Sequence, residues 1–373
     1  MIKIFFSNYS KTITGAAIIL GVASFGSRLI GILRDRIFAH TFGAGAVLDS
    51  YYAAFRIPDL VYNLIIVGTL SAGFIPIFTE LINKDKKEAW RVTNSIINIL
   101  GISLIIICSI LFIFTPKLLP YLVPGFSAVD LSATIMLTRI MFLSPILLGI
   151  SGVVSSVLQS FKSFFIYSIT PIVYNIGIII GALFFVPTMG IKGLAYGVIL
   201  GAILHLAVQI PDLIRHDFKY ELILDFKNSY VKKIGRLMIP RALGLATTQL
   251  NLLVITGLAS TVGVGSIAVF NFANNIQQFP IGIIGISFAI AAFPTLSQLV
   301  AEGKKEQLSE LLSQTIRQIL FFIIPLTIIF LMLRAQITRV ILGCGQFNWT
   351  STNNTANTLA FFSQSFYPQA QIG

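Results

Sequence analysis

Long apolar runs separated by short polar stretches dominate the pattern of this sequence. A straight α-helix needs about 20 apolar residues to cross the roughly 30 Å hydrocarbon core of a bilayer. Runs of about that length or longer occur at residues 13–36, 46–81, 92–115, 131–160, 164–187, 190–211, 234–260, 263–299, 309–333 and 352–373. The pattern therefore predicts an all-α polytopic membrane protein with about ten membrane-crossing segments.

The second and eighth runs are longer than one straight span requires, and both contain prolines. Pro58 and Pro76 lie in the second run, and Pro280 and Pro294 lie in the eighth. Because proline lacks the backbone N–H and kinks a helix, we expect each of these runs to form a broken or tilted span.

Charge is sparse and unevenly distributed. Only 11% of the residues are charged, 55% are hydrophobic, and the net charge is +12. The positive-inside rule explains this excess without a nucleic-acid partner and predicts a cytoplasmic N-terminus. The basic residues concentrate in alternate loops: Lys84, Lys86, Lys87, Arg91, Lys162, Arg215, Lys219, Lys227, Lys232, Lys233, Arg236, Lys304 and Lys305.

Short motifs repeat at a nearly constant offset along the chain. Gly43-Ala44-Gly45 precedes the second run as Gly263-Val264-Gly265 precedes the eighth, and Pro76 has a counterpart in Pro294. Parallel repeats of this kind occur in transporters. They predict two pseudo-repeated helical lobes, 1–214 and 234–373, around a central cavity. The second lobe is expected to be incomplete after about four helices, and an amphipathic cytoplasmic linker at 215–233 is expected to join the two.

No catalytic or metal-binding motif is present. The sequence lacks nucleophile-elbow, zinc-protease and phosphate-loop motifs. Cys108 and Cys344 form neither a C-x-x-C motif nor a cluster with His40, His205 or His216. We therefore expect no enzymatic activity, no cofactor and no metal.

Charged residues inside the apolar runs are the strongest indication of function. A charge buried in a membrane costs about 2.5–3.5 kcal/mol or more, so it persists only with a partner, a wet cavity or a function. Guanidinium groups pair well with phosphate and diphosphate oxygens, although an arginine near a helix end can also reach lipid headgroups. The charged residues inside the runs include Arg28, Arg34, Asp35, Asp49, Arg56, Asp59, Arg139, Arg241 and Arg317.

Five short segments of the chain, together with Asp49, resemble one family of membrane transporters. The segment from Ser27 to Asp35 reads SRLIGILRD, and it is followed by FGAG at residues 42–45, by Asp49 and by FRIPDL at residues 55–60. FANNIQQFP at residues 272–280 and FPTLS at 293–297 complete the set. These segments are similar to those of the MurJ/MviN lipid II flippases.

The resemblance implies a fold of two six-helix lobes, as in the multidrug/oligosaccharidyl-lipid/polysaccharide exporters. It implies translocation of the undecaprenyl-diphosphate-linked peptidoglycan precursor, lipid II, across the bacterial inner membrane by alternating access without ATP hydrolysis. Membrane lipids and the cell-wall synthesis machinery are the other implied partners. By this resemblance, Arg28 and Arg34 match the family's cavity arginines, and Asp49 matches the aspartate of the family's second span.

The resemblance weakens in the second lobe. The family often has arginine and glutamate where Asn275 and Gln278 stand, and arginine where Tyr62 stands. Arg241 either reaches cytoplasmic headgroups or points into the cavity and replaces the missing charge. The predicted substrate-binding residues are Arg28, Arg34, Asp49, Arg56, Arg241, Asn275 and Gln278.

Three other functions stay open at this point. The chain could be a flippase for another polyprenyl-linked saccharide, a drug/cation antiporter of the same fold, or a degenerate non-transporting scaffold. An antiporter should carry carboxylates deep in its spans, whereas the deep charges here are mainly arginine.

Overall fold

A computed structural model of the chain describes residues 13–67 and 73–364. Within these ranges the protein is built from helices and contains no strand. The helices are α1 (Ile13–Phe42), α2 (Ala46–Tyr62), α3 (Ile75–Lys84), α4 (Lys86–Leu122), α5 (Ala128–Met141), α6 (Leu143–Ser160), α7 (Phe164–Ile180), α8 (Val186–Met189), α9 (Lys192–Ala207), α10 (Ile210–Arg215), α11 (Ser229–Val262), α12 (Ser266–Ala301), α13 (Lys305–Met332), α14 (Arg334–Leu342) and α15 (Trp349–Ser363).

Side-chain caps determine where several of these helices begin. Asp85 accepts hydrogen bonds from the backbone N–H groups of Lys87 and Glu88 at the start of α4. Ser127 caps α5, Asn228 caps α11 and Asn348 caps α15 in the same way. These caps satisfy donors that the first turn of a helix leaves unpaired.

Six helical stretches of the described residues are long and apolar enough to cross a membrane. They are Lys86–Leu122, Ala128–Ser160, Phe164–Met189, Lys192–Arg215, Ser229–Val262 and Lys305–Met332. Each overlaps one of the predicted apolar runs. The last predicted run, 352–373, is described only as far as residue 364.

The second and eighth runs differ from each other. In the second, α2 continues past Pro58 and passes into a π-helical turn at Asn63–Val67; α3 spans Ile75–Lys84, and residues 68–72 between them lie outside the described part of the chain. The eighth forms one helix, α12, from Ser266 to Ala301, so a break in this run is not observed.

The described residues fall into two compact units. The first comprises residues 13–30 and 46–264, and the second comprises residues 31–45 and 265–364. The sequence-based division into lobes 1–214 and 234–373 follows the repeat instead, and it stays a prediction.

Close helix packing characterises the first unit. A Cβ atom at Gly177 of α7 would collide with the backbone of Gly201 on α9, and one at Gly181 would collide with Gly197. Only glycine permits this approach, which brings backbone against backbone as in other membrane helix pairs. A separate apolar core surrounds Phe74, Phe78 and Leu104.

The stretch between α10 and α11 lies along the first turns of α4. Asn94 donates to the carbonyl of Lys219 (3.0 Å), and Asn98 donates to those of Glu221 (2.9 Å) and Ile223 (3.0 Å). The predicted linker is thus mostly irregular, and its backbone groups are paired by amide side chains.

In the second unit, the last turns of α1 pack against the loop before α15. Arg36 donates to the carbonyl of Val340 (2.8 Å), and the N–H of Gln346 donates to the carbonyl of His40 (3.0 Å). Gly43 and Gly345 adopt φ values of 64° and 56°, which favour glycine.

Candidate functional site

Arg34, Asp35 and Asn275 form a hydrogen-bonded cluster in the second unit. Arg34 donates from Nε (3.0 Å) and Nη2 (2.8 Å) to Oδ1 of Asp35. Asn275 donates from Nδ2 to Oδ2 of the same carboxylate at 2.8 Å. Asp35 therefore joins the cation on α1 to the amide on α12.

The surroundings of this cluster fix the arginine in one orientation. The side chain of Asp35 is 5% exposed and that of Arg34 is 21% exposed. The guanidinium carbon also lies 6.0 Å from the ring centre of Phe38, one helical turn further along α1. The Asp35 carboxylate stabilises the Arg34 cation in an apolar helix. Its Oδ1 accepts from Arg34 and its Oδ2 accepts from Asn275, so the carboxylate holds the guanidinium in place.

Arg56 lies in a polar contact of the first unit. Its Nε donates to Oγ1 of Thr256 on α11 at 2.8 Å, and this hydroxyl donates in turn to the carbonyl of Leu252. Asp49, one of the first residues of α2, is buried, and Arg28 of α1 is partly buried. The structure thus brings Arg56 to α11, a contact that spacing within one helix does not reveal.

The remaining two predicted residues have exposed side chains. Arg241 is exposed on α11, and it forms no hydrogen bond or ion pair with the described residues. Gln278 is exposed on α12, whereas its neighbour Gln277 is buried and donates to the carbonyl of Phe362 at 3.1 Å. Gln277 therefore connects α12 to α15. Whether Arg241 points to the lipid headgroups or into the cavity stays a prediction.

Sequence reasoning missed two members of these contacts. Asp35 was recognised only as a buried charge, and Thr256 was not recognised at all. The adjacent Arg34-Asp35 pair inside an apolar run was a usable signal for the first, since each charge lowers the other's cost of burial. No local signal marks Thr256, because its partner lies 200 residues away.

The described residues contain no group of three or more His, Cys, Asp or Glu side chains that could hold a metal ion. Cys108 is buried in α4, and Cys344 lies in the loop after α14 as a free thiol.

Comparison with solved structures identifies the fold first. An inward-facing multidrug resistance MATE family transporter of the MOP superfamily aligns with 92% of this chain and 81% of its own, with a TM-score of 0.74 and 16% identity. The structure titled "Lipid II flippase MurJ, inward closed conformation" aligns with 95% of this chain and 73% of its own, with a TM-score of 0.82 and 25% identity. The fold is that of a multi-pass membrane transporter, and this class is not enzymatic.

Comparison of sequences identifies the family. The model of the family described as "Lipid II flippase MurJ" matches residues 38–372. The chain belongs to the MurJ lipid II flippase family. The probable lipid II flippase MurJ of Rickettsia prowazekii is 28% identical over 355 residues, covering 94% of this chain and 70% of that protein. The lipid II flippase MurJ of Burkholderia cenocepacia is 27% identical over 346 residues, covering 90% of this chain and 67% of that protein.

Proposed function

We propose that this protein translocates lipid II across the bacterial inner membrane by alternating access. Membership of the MurJ family supports this function over the other saccharide flippases, antiporters and scaffolds. The observation that carries it is the Arg34–Asp35–Asn275 cluster, which holds a guanidinium in a fixed orientation within an otherwise apolar helix.

In this proposal Arg28 and Arg34 bind the diphosphate of the substrate. A guanidinium matches two phosphate oxygens at once, and it stays protonated in a membrane. Asp35 and Asn275 act through Arg34, because they fix its orientation without needing to touch the substrate. Asp35 also reduces the net charge of the site, so the substrate is held without being trapped.

The other predicted residues have secondary roles in the proposal. Asp49 and Arg56 add polar groups on α2, and Arg56 is restrained by Thr256. Gln278 and Arg241 present exposed side chains on α12 and α11. Arg241 would supply positive charge in place of the arginine that the family often has at position 275.

The proposed orientation places the N-terminus and the basic loops in the cytoplasm. Support comes from Lys86 and Arg91 at the start of α4 and from the basic stretch 215–236, which lie on the same side because the linker packs against α4. Proteins of cell-wall synthesis are the proposed partners, since they consume the translocated precursor.

Growth of bacteria depleted of their own flippase tests this function. The gene should restore growth, whereas Arg28→Ala and Arg34→Ala should not when growth is compared at equal amounts of protein in the membrane. Arg317→Ala is the matched control, because Arg317 is exposed on α13 and its loss should leave growth unaffected. Normal growth with both variants would overturn the proposed diphosphate site.

A further inference from the structure

Arg139 of α5 lies beside a proline-induced defect in α4. Pro116 has no N–H, so the carbonyl of Phe112, four residues earlier, loses its usual donor within the helix. Nε of Arg139 donates to this carbonyl at 3.2 Å. The arginine thereby satisfies a backbone group that would otherwise face an apolar environment.

The ring of Phe112 holds the same guanidinium. The guanidinium carbon lies 4.9 Å from the ring centre, a cation–π contact. These two contacts fix the position of the group but involve only one of its five N–H donors and no negative charge.

No carboxylate of the described residues forms an ion pair with Arg139. The only acidic residue of α5 is Asp130, about 13 Å away along the helix, where it accepts a hydrogen bond from Ser127 (2.6 Å). The only acidic residue of α4 is Glu88, at its opposite end. Arg139 therefore keeps its full charge within an apolar part of the fold.

The guanidinium lines an open pocket of about 370 Å³ between α4 and α5. The other lining residues are Phe112, Ser132, Ile135, Met136 and Ile140. Phe112 is 44% exposed and the next residue, Ile113, is 68% exposed, so this face of α4 contacts lipid in a membrane. The pocket thus combines a fixed cation with apolar walls on a lipid-facing surface.

The depth of the pocket fits a lipid headgroup. The stretch 99–116 of α4, between Asn98 and Lys117, carries no charge and is about 27 Å long, close to the thickness of the hydrocarbon core. Lys117 follows this stretch, and Phe112 lies about 7.5 Å from Lys117 along the helix axis, towards the middle of the membrane. The Arg139 side chain leans towards the N-terminus of its own helix, which is the Lys117 end of α4.

We propose that this pocket binds the phosphate of an anionic phospholipid at the membrane surface where α4 ends. The terminal N–H groups of Arg139 would pair with phosphate oxygens, Ser132 would add a hydroxyl, and the apolar walls would contact the acyl chains. This site is separate from the proposed diphosphate site and does not depend on the transport function.

Native mass spectrometry of the purified chain with phosphatidylglycerol tests the site. Arg139→Gln should lower the affinity for the most tightly bound phosphatidylglycerol molecule by roughly tenfold or more, since one charge-assisted contact is lost. Lys192→Gln, the same charge change at the start of α9 outside the pocket, should bind as the unaltered chain does. Phosphatidylcholine should bind more weakly than phosphatidylglycerol because its choline repels the guanidinium.

A second variant covers the case in which Arg139→Gln does not fold. Ser132→Phe fills the mouth of the pocket from an exposed position and leaves the contact between Arg139 and Phe112 in place. It should displace the same lipid. Full retention of phosphatidylglycerol by either folded variant, or equal binding of the two lipids to the unaltered chain, would overturn the proposal.

Discussion

Arg34 and Arg139 both lie in apolar helices, but they are stabilised in different ways. Arg34 pairs with a buried carboxylate whose second oxygen is held by Asn275. Arg139 contacts a backbone carbonyl and an aromatic ring, both of which are neutral. An opposite charge lowers the net charge beside a guanidinium, whereas neutral dipoles fix its position and leave its whole charge available to a lipid.

The largest effect is expected from removing the carboxylate. Asp35→Ala leaves Arg34 without its charge partner, so the free energy of unfolding should fall by about 3 kcal/mol, the lower end for a pair whose cation is partly exposed. Chemical unfolding of the purified protein in detergent measures this change.

The double variant Arg34→Gln/Asp35→Asn is the control for Asp35→Ala. It removes both charges at once, so most of the stability should return while transport stays absent. If Asp35→Ala unfolds at the same denaturant concentration as the unaltered protein, the carboxylate does not stabilise the cation.

A smaller effect is expected from the amide that holds Asp35. Asn275→Leu removes the donor to Oδ2, which should lower the free energy of unfolding by about 1–2 kcal/mol because a hydrogen bond to a charged group is lost. Asn274→Leu is a matched control, since no side-chain hydrogen bond of Asn274 is found among the described residues. Equal losses from the two changes would mean that the contact with Asp35 contributes nothing specific.

The helices were predictable because membrane spans follow from local hydropathy. In the second run the α-helix continues past Pro58 and changes to π-helix only at Asn63–Val67, and in the eighth α12 continues past Pro280 and Pro294. Proline removes one hydrogen bond, and neighbouring residues in a membrane helix can compensate for this loss. The position of a proline therefore indicates a weak point, and packing decides whether the helix ends there.

The site was predictable only where it depends on single residues. Arg34 is visible in the sequence as a charge in an apolar run. Its hydrogen-bond network is not, because Asn275 and Asp35 lie 240 residues apart in sequence and meet only in the fold. The contact of Arg139 with Phe112 could be anticipated only by asking which donor serves the carbonyl that Pro116 leaves unpaired.

The neutral contact of Arg139 can be measured with a double-mutant cycle. In Pro116→Ala the backbone N–H of residue 116 is available to the Phe112 carbonyl. Arg139→Leu should therefore lower the free energy of unfolding less in the Pro116→Ala protein than in the protein that keeps Pro116. The expected coupling free energy is about 0.6–1.7 kcal/mol, as for other hydrogen bonds in membrane proteins. Additive effects in the cycle would show that Arg139 does not serve this carbonyl.

The smallest effect is expected from an exposed pair at the linker. Lys86 donates to Asp217 at 2.7 Å, and this hydrogen bond lowers the pKa of Asp217 below its ordinary value of 3.8. A carboxylate with a lowered pKa stabilises the folded state at pH values above its ordinary pKa. This stabilisation is lost as the pH falls through the lowered pKa. Because both side chains are exposed, the effect on stability should be slight.

Hydrogen exchange of residues 216–223 compares this pair with the buried amides that hold the linker. Lys86→Gln should raise exchange only near Asp217, whereas Asn98→Ala should raise it around Glu221 and Ile223. A larger rise from Lys86→Gln than from Asn98→Ala would contradict the dominance of the buried contacts.

We propose that this chain moves lipid II by means of an arginine held by Asp35. The most direct test measures how much lipid II reaches the outer face of the inner membrane in cells depleted of their own flippase, using an externally added enzyme that cleaves the exposed precursor. The account predicts cleavage when the gene is expressed and little cleavage with Arg34→Gln at equal membrane abundance. Equal cleavage with Arg34→Gln, or no cleavage with the unaltered chain, would contradict it.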